Sequence, residues 1–172
     1  GARPVIMYDM AHVLGLIGPN FQLPFEEGAD IVTGSTHKTF FGPQRGVIAV
    51  NITEELHKLL WKYIQQETFP RSVSNHHLGT ILALLGATYE MDEFAPKYQP
   101  QVVSNAKALA REIKGYPIKM EGDPSVDFTE THQAIINAGF GQGKYMARRL
   151  RQNHILQNRQ VLYCDMSTTD AS

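Results

Sequence analysis

The chain has 172 residues, 42% hydrophobic and 19% charged, with seven Tyr, eight Phe and one Trp, a balance that excludes intrinsic disorder and suffices for a core burying roughly 70% of the unfolded surface. Sixteen basic residues against seventeen acidic ones leave a formal charge of -1; without a basic stripe, no nucleic-acid partner is expected. No apolar run nears the ~20 residues of a membrane span, nothing reads as a signal peptide, and the lone Cys164 has no second cysteine to bridge, so a cytoplasmic location is expected.

In chain order, Val5-Ile6-Met7-Tyr8 comes first, an apolar β-type run of the kind found in buried parallel strands with neighbours on both sides. No neighbour precedes it, and the other terminus, from Ser167 to Ser172, stops without a closing helix. The sequence therefore reads as part of a longer chain. Residues 29–33 and 46–50 are strand-like, joined by a loop rich in Gly, Thr and Pro. Thr53 suits a helix N-cap, with Glu54 and Glu55 in the favourable first turn. Leu56, Leu59, Leu60 and Tyr63 then share one helical face. His76 to Glu90 carries Leu78, Ile81, Leu82 and Leu85 at similar spacing, which predicts a largely buried helix.

Pro96 and Pro100 bracket a polar stretch from Asp92 to Pro100 and predict a boundary there, between a first domain over 1–92 and a second over 93–172. Val102, Val103, Ala106, Leu109, Ala110 and Ile113 predict an amphipathic helix stopped by Gly115 and Pro117. A strand near 134–137, a basic helix over 144–152 and a strand over 161–164 complete a small α/β arrangement.

The stretch that carries chemistry is Thr33-Gly34-Ser35-Thr36-His37-Lys38-Thr39, followed by Phe40-Phe41-Gly42-Pro43-Gln44-Arg45-Gly46. A lysine directly after a strand is wrapped here in small, hydroxylated residues. Small residues let a planar ligand approach the backbone, and hydroxyls with loop amides can bind its phosphate. A partly desolvated lysine beside other cations attacks carbonyls, because its amine is more readily deprotonated. Twenty-nine residues earlier, Asp9 closes the first strand, with His12 just beyond. Strand ends are where ligands sit in α/β sheets, and a carboxylate there can pair with a protonated pyridine nitrogen. At ~4 Å and an effective dielectric near 20 such a pair is worth about 4 kcal/mol, or about 3 pKa units.

Asp9-Met10-Ala11-His12-Val13-Leu14-Gly15-Leu16, Thr36-His37-Lys38-Thr39 and Gly42-Pro43-Gln44-Arg45-Gly46 resemble the serine hydroxymethyltransferase family. Tyr98-x-x-Gln101-Val102-Val103-x-Asn105-Ala106-Lys107 is similar to that family's helix entering its small domain. The resemblance implies the end of a fold-type I pyridoxal 5'-phosphate-binding large domain and the start of a small α/β domain. It also implies serine–glycine interconversion with tetrahydrofolate as one-carbon carrier, in a homodimer or tetramer. It makes Lys38 the Schiff-base residue and Asp9 the partner of the pyridine nitrogen. His12 lies near the phenolic oxygen, and Thr36 and His37 line the cofactor beside the lysine. The family's Gly-rich phosphate loop is replaced by Phe69-Pro70-Arg71-Ser72-Val73-Ser74-Asn75-His76-His77, where Arg71 either binds phosphate itself or displaces the backbone contact. That departure keeps open a threonine or β-hydroxy-amino-acid transaldolase or aldolase working without folate. A catalytically inactive assembly module on the same fold is the third reading.

Smaller signals point elsewhere than chemistry. Adjacent helical histidines such as His76-His77 point about 100° apart, so a metal site is not expected. Gly139-x-Gly141-x-Gly143-Lys144 lacks the spacing of a phosphate loop and reads as a turn between strand and helix. Arg148, Arg149 and Arg151 read as a solvated face, Cys164 as core, and Thr131-His132 takes no catalytic role.

Overall fold

A computed structural model describes residues 3–19, 21–53 and 55–162. The chain divides into two compact units, Gly1–Gln101 and Val102–Ser172.

The first unit is built on a three-stranded sheet of β1 (Met7–Asp9), β2 (Ile31–His37) and β3 (Phe41–Val50) in that order. β1 runs parallel to β2, with Asp9 opposite Thr33. β3 returns antiparallel, and His37 pairs with Phe41. Lys38, Thr39 and Phe40 therefore form a tight hairpin tip. The expected Gly/Pro-rich loop is mostly strand, because residues 42–45 buckle outward between the Ser35–Gly46 and His37–Phe41 pairs. The Thr36 hydroxyl fills this bulge, donating to the carbonyls of Pro43 at 2.6 Å and Arg45 at 3.1 Å.

β2 alternates as a half-covered strand should, with Val32, Gly34 and Thr36 buried and Ile31, Thr33 and Ser35 only partly covered. Val32 packs in the core with Met10, Leu14 and Ala29. Gly34 has to be small, since an added Cβ would come within 2.9 Å of the Leu14 side chain. β1 is an edge strand among the described residues, and Val5, Ile6 and Met7 are exposed where burial was expected.

α1 (Glu55–Gln66) differs from expectation in the face it buries. His57 is buried, and Leu60, Trp61 and Ile64 are partly covered, while Leu56, Leu59 and Tyr63 are exposed. A buried polar contact holds the helix this way. His57 Nε2 lies 3.0 Å from Asp30 Oδ1, and Asp30 also accepts two bonds from the Arg3 guanidinium and one from the Ile6 N–H at 2.8 Å. The Arg3 bonds, followed by the Ile6 amide, hold the Asp30 carboxyl well below the usual carboxylate range.

An irregular turn over Glu67–Ser72 leads to α2 (Leu78–Lys114). α2 also reverses an expectation. Ala87 and Met91 are buried, whereas Leu78, Ile81, Leu82, Leu85 and Tyr89 are exposed. Nor does the chain break at Asp92–Pro100, because α2 is one helix through Pro96 and Pro100. Each proline removes one N–H from the helical ladder, and the turns on either side carry the helix past the gap. The division between units falls within α2, nine residues beyond the expected one.

In the second unit, Ala106 and Ala110 are buried on the end of α2, which stops before Gly115 as its sequence predicts. β4 (Lys119–Met120) pairs antiparallel with β5 (Ile136–Asn137), and α3 (Gly143–Gln152) follows. Gly139 and Gly141 turn the chain between β5 and α3 at φ of 89° and 69°, a conformation that suits glycine. Arg148, Arg149 and Arg151 are exposed. Val161 and Leu162 are not strand, and the rest of the expected last strand, with Cys164, lies outside the described residues.

Candidate active site

Because β1 and β2 are parallel, both end on the same edge of the sheet. Asp9 is the last residue of β1, and its Oδ1 accepts the Ala11 N–H at 2.9 Å, while Oδ2 has no hydrogen-bond partner among the described residues. Asp9 opens onto a cleft of about 1070 Å³. Its floor is Ala11, Thr33, Gly34, Ser35 and residues 45–48 of β3; Trp61, Ile64 and Gln65 of α1 wall it, and Phe69 and Val73 rim it.

Among the site residues expected from sequence, only Asp9 lines this cleft. Lys38 stands at the hairpin tip, exposed, and makes no hydrogen bond or ion pair with a described residue. His12 is exposed on the turn after β1, and His37 is exposed at the end of β2. Thr36 points the other way: only 1% of it is exposed, and its hydroxyl is committed to the β3 bulge. The hydroxyl-bearing residues of β2 that line the cleft are Thr33 and Ser35. Strand alternation alone separates them from Thr36, and that was the available signal.

The bulge also positions Arg45, whose Nε donates to Thr80 Oγ1 at 2.8 Å and whose Nη2 donates to the His77 carbonyl at 3.1 Å. Arg71 does not reach the cleft; its Nη1 meets Glu67 Oε1 at 2.5 Å on the surface.

Beneath the lysine lies a polar layer that sequence reasoning missed. Thr39 is buried, its Oγ1 donating to the His12 carbonyl at 2.8 Å and accepting the Gly15 N–H at 3.0 Å. Tyr98 Oη donates to the Thr39 carbonyl at 2.8 Å, and Gln99 Nε2 donates to the carbonyls of Gly15 and Ile17 at 2.9 and 2.7 Å. Burial pushes the Tyr98 phenol up, which keeps it a donor.

A carboxylate at one strand end and a lysine hairpin after the next lie on a mixed sheet that is part of a fold-type I fold. The serine hydroxymethyltransferase family model matches residues 2–169, and the chain belongs to that family. Serine hydroxymethyltransferase of Archaeoglobus fulgidus is 47% identical over 162 residues, covering 93% of this chain and 35% of that protein. The Methanosphaera stadtmanae enzyme of the same name is 47% identical over 164 residues, covering 93% and 37%. Among solved structures, L-threonine transaldolase from Pseudomonas fluorescens superposes with a TM-score of 0.78 at 35% identity, covering 90% of this chain and 35% of that one. The chain thus spans little more than a third of these relatives.

Proposed function

We propose that the enzyme to which this chain belongs transfers a hydroxymethyl group between serine and glycine, with pyridoxal 5'-phosphate as cofactor and tetrahydrofolate as one-carbon carrier. The observation that carries this reading is that Asp9 ends β1 and Lys38 directly follows β2, at the C-terminal ends of two adjacent parallel strands in a chain of this family. The residues present fit the cofactor. Asp9 Oδ2 is available for a pyridinium N–H, and Thr33 and Ser35 supply hydroxyls. At Gly46 an added Cβ would meet only the Gly34 carbonyl, at 3.8 Å, so the floor is open where a planar ring needs room.

Lys38 is the covalent anchor in this reading, and Asp9 holds the ring nitrogen protonated. By the family resemblance, His12 would lie near the cofactor's phenolic oxygen. His37 flanks the lysine directly, whereas Thr36 contributes by holding the bulge that ends β2. The bound cofactor supplies an electron sink for negative charge at the substrate's α-carbon. The first unit belongs, on this reading, to the large cofactor domain and the second to the small domain. Exposed Leu82, Leu85 and Tyr89 support at least a homodimer for the full-length enzyme.

Borohydride reduction of the full-length protein with pyridoxal phosphate, followed by peptide mapping, should place a pyridoxyl group on Lys38. No adduct would sink the catalytic reading and favour an inactive assembly module. The likeness to a threonine transaldolase supports a second reading, folate-independent chemistry on a β-hydroxy amino acid. Serine cleavage that is unaffected by tetrahydrofolate would favour it.

A further inference from the structure

We infer that Tyr98 and Gln99 of α2 are positioning residues for the Lys38 hairpin and the His12 turn, an assignment that rests on the function proposed above. Lys38 has no side-chain partner among the described residues, so its place is set by the backbone on either side of it. That backbone is fixed one residue later, at Thr39. Its hydroxyl ties the hairpin to the His12–Gly15 turn, and its carbonyl is held by Tyr98.

Gln99 completes the layer from below. Only 2% of the residue is exposed, and its Nε2 faces two carbonyls, those of Gly15 and Ile17. Two acceptors leave one possible orientation of the amide, because the reversed side chain would set oxygen against oxygen. The fit is close: a Cβ on Gly15 would lie 2.1 Å from the Thr39 carbonyl carbon and oxygen. The Tyr98 ring also meets Phe41, the first residue after the hairpin tip, edge-on with centroids 5.1 Å apart.

A purely structural role would be to satisfy buried carbonyls anywhere in the core. These bonds instead converge on the two turns that carry Lys38 and His12, linking them to residues 59 and 84 positions away in the chain. A shift of about 1 Å in a reacting group can cost about a hundredfold in rate. Loosening the clamp should therefore be felt at the lysine amine before it is felt in the fold.

The test uses the full-length enzyme with Tyr98→Phe, Gln99→Leu and, as a stability control in the other unit, Met120→Ala. The readouts are thermal midpoint, the rate and pH profile of pyridoxyl trapping on Lys38, and amide exchange in peptides covering residues 12–17 and 37–41. The expected result is a trapping rate at least about tenfold lower for Gln99→Leu, a displaced pH profile, and faster exchange in both peptides. Met120→Ala should lower the midpoint and leave trapping unchanged. Unchanged trapping and exchange in both clamp variants, or an equal loss in Met120→Ala, would overturn the inference. If wild-type Lys38 takes no pyridoxyl group, the cofactor reading fails on its own. Exchange then still judges the clamp: faster exchange in the variants supports it, and unchanged exchange refutes it.

Discussion

At the scale of single residues, the site depends on a few atoms with no room to move. Gly15→Ala would drive a methyl group into the Thr39 carbonyl 2.1 Å away. Overpacking costs about 1–3 kcal/mol where neighbours can shift, and here the neighbour is backbone. Urea titration should therefore show a loss at or above the top of that range. Thr36→Val keeps the volume but leaves the Pro43 and Arg45 carbonyls without their donor. The expected loss is about 1–3 kcal/mol, and a midpoint equal to wild type would refute the account of the bulge. Asp30 adds a pH dependence. Its carboxyl is held low when folded, so its contribution is complete above the unfolded value of about 3.9 and fades as pH falls toward the folded one. Asp30→Asn should lower the thermal midpoint at pH 7 and flatten the decline of stability on acidification; an unchanged acid slope would refute this.

At the scale of elements, both long helices turn a different face inward from the one their apolar stripes suggest. Asp30 captures His57 and rolls α1 until Trp61 and Ile64 face the cleft. Leu56, Leu59 and Tyr63 are left outward, as are Leu82 and Leu85 of α2. Such stripes on exposed helices are expected to be covered by other protein. Leu82→Arg should thus leave the helix content of the full-length enzyme intact by circular dichroism while weakening its self-association in sedimentation velocity. An unaltered sedimentation coefficient at all concentrations would exclude the α2 face from the proposed dimer contact.

At the scale of the whole molecule, two compact units share a single helix, and the candidate site lies entirely in the first. Asp9, Lys38, Thr39, Tyr98 and Gln99 all belong to it, so on the proposed function the placement of the lysine depends on one sheet edge and its polar underlayer. Among the described residues no helix is long and apolar enough to cross a membrane.

Features with a local physical cause were legible in the amino-acid order. The lysine between hydroxylated residues, the Asp9 strand end, the stop at Gly115 and the turn at Gly139 each depend on a few neighbouring residues, and motif and propensity capture such effects. Three-dimensional approach alone decided the rest. Periodicity shows that a helix has an apolar stripe, but the buried Asp30–His57 contact selected which face of α1 meets the sheet. Alternation along β2 separates Ser35 from Thr36 only once the side that packs on Leu14 is known. The bonds from Tyr98 and Gln99 to the lysine hairpin and its neighbouring turn span 59 and 84 residues. No local pattern announces bonds of that reach, because they form only where folding brings a buried donor within about 3 Å of a distant carbonyl.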